Sequence, residues 1–596
     1  MSAAEDRGQP QAIERPVGVG DGIARFGSDA VAETLRALGI PYIALNPGAS
    51  YRGLHDSLVN HLGNQRPQML VCLHEESAVA LAHGWAKVTE RPMAAAVHSN
   101  VGLMHATMAI FNAWCDRAPV LVIGATGPLD AAKRRPWIDW IHTAADQGGL
   151  LRGYVKWDAQ PASPAAAQEA LLRACWLAGT APMGPVYVNL DAGMQEAPLA
   201  EALPPPDACR FLPIAPGGVS ADALAEAAAL LREARNPLIL MGRVSRGTEA
   251  WAARLALAEA LGARVATDLK VGSAFPTAHR LHLGAPAVFP GAEIAAALRD
   301  ADVVLSLDWV DLGGTLRTAC DGPPPGRVIQ VSLDHQLHNG WSMDHQALPA
   351  VDLLLAGTPD AVVPGLLQAL GVSPPDFVAA PSQHATLPPA AGSIGVGFLA
   401  HALRAATAGR EVSLLHVPLS WNGADWPFNH PLDYIGTEGG GGIGAGPGIA
   451  VGAALALRGS MRLPLAVLGD GDFLMGVTAL WTAVHYRIPL LVVVANNRSS
   501  FNDEVHQERV ARSRNRPVEN KWIGQRLADP EIDLAAMGRA QGALGFGPVV
   551  DAADLPAALA EAVTAVGAGS VAVVDVRVEP GYTPAMAGAL TREAKP

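Results

Sequence analysis

Two unbroken apolar runs, Leu463-Pro-Leu-Ala-Val-Leu468 and Leu490-Leu-Val-Val-Val-Ala495, constrain the fold of this chain more than any other feature. Apolar runs without alternation belong to strands buried on both faces. Between them, residues 474–487 predict a helix. Strand, helix and strand within ~30 residues form a crossover that lays the two strands parallel in one sheet. The first run ends in Gly469-Asp470-Gly471 and the second in Asn496-Asn497. The crossover returns the chain to the same edge, so Asp470 and Asn497 should meet at the C-terminal ends of two strands, where open α/β sheets bind ligands. A carboxylate and an amide oxygen there suit a hard divalent cation, and the flanking glycines let backbone approach phosphates. The pair predicts Mg²⁺ and a diphosphate.

The rest of the chain repeats the pattern. Residues 24–39 predict a helix and 42–45 a strand that ends in the turn Asn46-Pro47-Gly48. Strands at 69–73, 93–98 and 120–124 and a helix at 76–89 follow. A Pro-rich stretch at 203–213 reads as a linker. Strands at 237–241, 302–306 and 328–332 mark a second block, and Pro/Ala/Ser-rich 374–391 a second linker. At 596 residues the chain is too long for one core. The expected fold class is therefore α/β, with three successive doubly wound domains at 24–196, 214–372 and 393–580. A second Gly-Asp-Gly, at 20–22, follows no strand and reads as tail.

A net charge of −13 argues against nucleic acid or an anionic membrane as partner. Five cysteines, an odd count with no CxxC pair, read as reduced thiols in a cytoplasmic protein. The first ~22 residues are polar and carry no apolar signal-peptide core. No apolar run approaches the ~20 residues that a membrane span needs.

Gly469-Asp470-Gly471, with Asn497 27 positions after Asp470, resembles the signature of thiamine-diphosphate enzymes. Three α/β blocks resemble the layout of their decarboxylase and acetolactate-synthase group, over residues 24–580. The resemblance implies metal ligation by Asp470, Asn497 and Ser499. It implies cofactor contacts at Gly442, Ile443, Gly469, Gly471, Asp472 and Phe473. Ile443, in Gly441-Gly442-Ile443-Gly444, matches the bulky aliphatic residue over which that family bends its cofactor, ahead of an apolar helix at 449–457. The family also places a glutamate at a strand end, with Gly-aromatic-Ala about nine residues on. Here Leu73-His74-Glu75-Glu76 precedes Gly84-Trp85-Ala86, so Glu75 is the implied activating acid and Glu76 its competitor. A carboxylate hydrogen-bonded to the cofactor's pyrimidine sets its tautomer.

Val97-His98-Ser99, Phe111-Asn112-Ala113-Trp114 and Phe275-Pro276-Thr277-Ala278-His279 resemble segments of benzoylformate decarboxylases. His98 and His279 are the implied acid–base residues, since imidazole titrates near neutrality. His105, two helical turns beyond His98, and His282 compete with them. One departure stands out: the Asn46-Pro47-Gly48 turn is followed by Ala49 and then Ser50, where those enzymes carry serine directly. The polar segment 499–527, with Asn502, Asp503, Glu504 and His506, is expected to form a lid. Acetolactate synthases also carry FAD in the central block. Residues 214–372 hold no Gly-x-Gly-x-x-Gly after a strand, and the reading leans against FAD. The expected activity is C–C cleavage beside the carbonyl of a small-molecule 2-oxo acid, as in a decarboxylase. An acetolactate-synthase-like carboligase and a 1,2-diketone C–C hydrolase are the alternatives. The family's assembly implies a homodimer or homotetramer whose sites are shared between subunits.

Overall fold

The computed structural model describes residues 13–582, apart from 216, 321, 323, 338–346 and 379–391. Its framework is three parallel sheets. The first holds β1 (Tyr42–Leu45), β2 (Gln68–Val71), β3 (Met93–Val97), β4 (Val120–Thr126), β5 (Asp158–Ala159) and β6 (Val186–Asp191), in the order β2-β1-β3-β4-β6-β5. The second holds β7 (Pro237–Met241), β8 (Arg264–Thr267), β9 (Val303–Leu307), β10 (Arg327–Val331) and β11 (Leu353–Leu355), in the order β11-β10-β9-β7-β8. The third holds β12 (Val412–His416), β13 (Leu463–Gly469), β14 (Leu490–Asn496), β15 (Leu544–Val549) and β16 (Val571–Arg577), in the order β12-β13-β14-β16-β15. The expected linker at 374–391 lies mostly outside the described residues.

The apolar runs form strands for the reason their pattern suggests. Leu465, Val467, Leu491 and Val493 face one core, while Ala466, Leu468, Val492 and Val494 face another. Both faces of the sheet are covered, so the central positions of these strands are apolar, and the one polar residue, Asn496 at the end of β14, is buried with its amide donating to Asp575 Oδ1 (2.8 Å). The second of these cores is continuous with the first sheet, whose Tyr42, Ala44, Leu70, Ala95 and Val97 belong to it. Helices Glu75–Thr89 and Gly446–Ala456 weld the two units together. Glycines bring the two backbones close. A Cβ on Gly84 would strike the Ile449 carbonyl, one on Gly452 the Leu81 carbonyl, and one on Gly448 the Ala80 methyl. This gives Gly84-Trp85-Ala86 a packing role of its own.

One element differs from expectation. Residues 474–487 are not a single helix but two short ones, Asp470–Gly476 and Ala479–His485. The first begins at Asp470 itself, and Asp470 and Asp472 suit its N-terminal turn. Gly476 lies under the Gly444 carbonyl and the Pro447 ring, where a Cβ has no room, and the helix stops there. Gly20-Asp21-Gly22 lies in an irregular segment, with no strand before it among the described residues.

Candidate active site

The crossover brings together what the sequence separates. Gly469 pairs with Ala495 in the β13/β14 register, so Asp470 and Asn497 each lie just past a strand end. The backbone N–H of Ser499 donates to Asp470 Oδ2 (3.3 Å) and to Asn497 Oδ1 (2.9 Å). One donor therefore holds the acid and the amide oxygen side by side. A second N–H, from Gly471, donates to Asp470 Oδ1 (2.8 Å). Asp470 is buried, and desolvation raises its pKa against the pull of these backbone donors. A cation beside it would restore the charged form. Two hard oxygens fixed this way fit Mg²⁺.

The glycine-rich loop before helix Gly446–Ala456 lies across from this pair. Ile443 is half exposed, and its Cδ1 lies 3.9 Å from the point where a Cβ on Gly471 would sit. The loop is held from below by Asp472. Its Oδ1 accepts from Gly444 N–H (2.6 Å) and Gly446 N–H (3.2 Å). Among the described residues its buried Oδ2 has no hydrogen-bond partner, and it stands 3.9 Å from His416 Nε2. His416, the last residue of β12, bonds Glu438 Oε2 at 2.8 Å. Burial opposes a charged His416, but Glu438 and then Asp472 outweigh it and raise its pKa to about 9. Of this buried trio the sequence pointed only to Asp472, because the three members lie on separate segments. Phe473 is fully buried in the core. The Asn112 amide donates to the Gly442 carbonyl (3.3 Å), tying the loop to the first unit.

At the C-terminal edge of the first sheet, four successive strands each deliver a polar residue. Asn46-Pro47-Gly48 follows β1, Glu75 follows β2, His98 follows β3, and the segment carrying His142 follows β4. Glu75 opens its helix, is buried, and lies over the Gly102 backbone, where a Cβ would be 2.9 Å from its Oε1. His105 Nδ1 lies 3.5 Å from Glu75 Oε2. His74, Glu75 and His105 offer ligand atoms within 4.8 Å of one another, and the two imidazoles stack at 8°. Glu76 faces elsewhere: its Oε1 approaches Gly444, and burial followed by the Asp472 charge raises its pKa. His98 meets Ser50, whose Oγ is 2.9 Å from Nδ1, and His142, whose ring lies edge-on at 4.6 Å. Ser50 stands one residue beyond the expected serine position. No local signal marks His142, since only the path of a long loop brings it to His98.

His279 is not brought to this cluster. It bonds Glu259 (3.2 Å) and packs edge-on against Phe275, both within the second unit. His282 bonds Thr267 Oγ1 (2.9 Å), and burial pushes its pKa down to about 4. The Phe275–His279 stretch joins units instead: Thr277 N–H donates to the Phe428 carbonyl (2.9 Å) and Phe428 N–H to Thr277 Oγ1 (2.9 Å). The segment 499–527 holds a helix, Phe501–Ser513, and a short turn, Val518–Trp522. Buried Glu504 anchors it by accepting from Ser499 Oγ (2.5 Å) and Arg526 Nε (3.2 Å). Among the described residues, no helix is long and apolar enough to cross a membrane.

Comparison with known proteins accounts for all three units. Family sequence models match residues 25–150 (thiamine pyrophosphate enzyme, N-terminal TPP binding domain), 224–346 (central domain) and 420–576 (C-terminal TPP binding domain). Benzoylformate decarboxylase of Pseudomonas aeruginosa is 26% identical over 493 residues, 78% of this chain and 84% of that one. The acetolactate synthase large subunit of Corynebacterium glutamicum is 26% identical over 286 residues, 47% of this chain and 44% of that one. The crystal structure of benzoylformate decarboxylase from Polynucleobacter necessarius superposes with a TM-score of 0.74 at 21% identity, covering 94% of this chain and 100% of that one, which shows a shared fold. Three models of one family laid end to end along more than half of the chain, each over its own parallel sheet, make it a member of the thiamine-pyrophosphate-dependent enzymes of the decarboxylase and acetolactate-synthase group.

Proposed function

We propose that this enzyme binds thiamine diphosphate with Mg²⁺ and breaks the C–C bond beside the carbonyl of a small 2-oxo acid, releasing an aldehyde and carbon dioxide. The observation that carries this reading is the convergence of Asp470 and Asn497 on the Ser499 N–H, beside Gly471 and the Ile443 loop. In this reading Asp470, Asn497 and Ser499 hold the cation. Gly442, Gly469 and Gly471 give the diphosphate room, and Ile443 supports the bent cofactor. When bound, the cofactor supplies a carbon nucleophile and an electron sink.

The remaining work falls to side chains. In this reading Glu75, largely sealed from water, would hydrogen-bond the pyrimidine ring nitrogen and so set its tautomer. His98 presents its ring to the carbonyl oxygen of the substrate. The helix Phe501–Ser513, pinned by Glu504, shields the site from solvent. FAD is not part of the reading. We further propose a homodimer, or a pair of such dimers, in which Glu75 of one subunit serves the diphosphate site of the other. The cytoplasm is its proposed compartment, consistent with the five free cysteines.

The acetolactate-synthase relatives favour a second reading, in which another carbonyl compound takes up the fragment in place of a proton. A 1,2-diketone hydrolase is the third. Purified enzyme loaded with the cofactor and offered pyruvate, benzoylformate, branched 2-oxo acids and 1,2-diketones separates them by product. Aldehyde with carbon dioxide supports the decarboxylase, acetolactate from pyruvate alone the synthase, and a carboxylic acid from a diketone the hydrolase. Asp470→Ala should abolish Mg²⁺-dependent uptake of thiamine diphosphate; unchanged affinity by calorimetry would sink the assigned site.

A further inference from the structure

We infer that Ser50 is a positioning residue that fixes His98 as a neutral imidazole with its single proton on Nε2, so that His98 acts as a hydrogen-bond donor and not as an imidazolium. The geometry on Nδ1 decides this. The Ser50 backbone N–H, which can only donate, points at Nδ1 from 3.4 Å. Ser50 Oγ lies 2.9 Å from the same nitrogen. That oxygen also accepts from Ser99 N–H (3.1 Å), and with Nδ1 already facing the Ser50 backbone N–H, its own hydrogen points to Nδ1. Two donors on one ring nitrogen require a lone pair there, and the ring proton then sits on Nε2. Placing a proton on Nδ1 sets it against the Ser50 N–H and turns the hydroxyl away.

The surroundings keep this arrangement rigid. Ser50 is buried, and its carbonyl accepts from Gln195 Nε2 (3.1 Å). Gly48 lets the turn close on His98, because a Cβ there would collide with the imidazole. The titratable groups acting on His98 come from two neighbouring elements. His142, on the segment after β4, opposes a second positive charge, while Glu75, on the helix after β2, favours one. Burial and then His142 prevail, so the His98 pKa lies below its ordinary value. A neutral N–H donor stabilises a developing oxyanion without surrendering its proton. This narrows the role of His98 given above and rests on that reading for its catalytic meaning, although the tautomer itself does not.

Neutron diffraction from crystals of the deuterium-exchanged holoenzyme at neutral pD tests the tautomer directly. Deuterium on His98 Nε2, with the Ser50 deuteroxyl aimed at a bare Nδ1, is the expected result. Deuterium on Nδ1 overturns the inference. In solution, Ser50→Ala should leave thiamine diphosphate affinity within about twofold, lower kcat about tenfold, and move the His98 ionisation upward in the pH profile, because the hydroxyl that donates to its neutral form is gone while burial and His142 remain. A pH profile identical to wild type overturns the role of Ser50. If the wild type turned over none of the offered substrates, the functional reading would fail while the diffraction result still decided the tautomer.

Discussion

Asp472→Ala should weaken thiamine diphosphate binding about a hundredfold while leaving every proposed metal ligand in place. The carboxylate holds the loop of Ile443 through two backbone N–H groups, at 2.6 and 3.2 Å. Hydrogen bonds to a charged acceptor contribute about 1.5–3 kcal/mol each. Part of that returns when the freed N–H groups find water, and removing Asp472 relieves its repulsion with Glu438. A net loss of about 3 kcal/mol in loop order is reasonable. If only the ordered loop accepts the cofactor, the apparent dissociation constant rises as the ordered fraction falls, and about 1.4 kcal/mol corresponds to tenfold. Asp472→Asn keeps an oxygen acceptor but loses the charge, so it should fall between, at about tenfold. Titration calorimetry at saturating Mg²⁺ gives the ranking wild type, Asn, Ala. Wild-type affinity in Asp472→Ala, or weaker binding in Asn than in Ala, would refute the claim that this carboxylate organises the loop.

Glu75→Gln should retain the cofactor while exchange of its C2 hydrogen slows by about 10²–10⁴-fold, measured by quenched hydrogen–deuterium exchange; a wild-type rate would place the activating acid elsewhere. His416 is raised in the folded state from 6.5 to about 9, so its stabilisation is complete below 6.5 and is lost as pH rises through about 9. That span is worth at most about 3 kcal/mol. The wild type should lose denaturant stability between those pH values while His416→Gln does not, and parallel curves would count against the Glu438–His416 pair. Mixing Glu75→Gln with Asp470→Ala chains under subunit exchange should restore activity through one intact site per mixed dimer. Mixed dimers without activity would return both residues to one chain's site.

The strands were legible because burial on both faces writes itself as uninterrupted apolar sequence. Pro237–Met241 and Tyr42–Leu45 fall where their patterns end. Asp470 and Asn497 were legible because a crossover is a local event and its geometry follows from chain length. The split at Gly476 was not, because it depends on Gly444 and Pro447 from another segment. Ser50 and His142 were hidden for the same reason. Their chemistry is created by the approach of four loops at one sheet edge, and no spacing within a single loop encodes it. Phe-Pro-x-x-His is a well-formed local motif whose described contacts clasp the second and third units together, a packing role that no local pattern announces.

The neighbouring acids Glu75 and Glu76 bear on how the site is assembled. Successive helical residues project about 100° apart, so the two cannot serve the same place. The glycine-lined packing of Glu75–Thr89 on Gly446–Ala456 fixes which way each one points. Glu76 is turned toward Gly444 and Asp472 of its own chain. Glu75 is turned toward Gly102, His105 and His98, on the first unit's own sheet edge. The acid that meets the chain's own glycine loop is thus Glu76, with its charge discouraged by burial and by Asp472. An activating carboxylate needs a partner cofactor, and Glu75 points away from Gly444 and Asp472, toward Gly102 and His105. In the proposed dimer its partner would be a cofactor held by Asp470 and Asn497 of another subunit, and the close packing that joins the first and third units within one chain would leave Glu75 available to that second subunit.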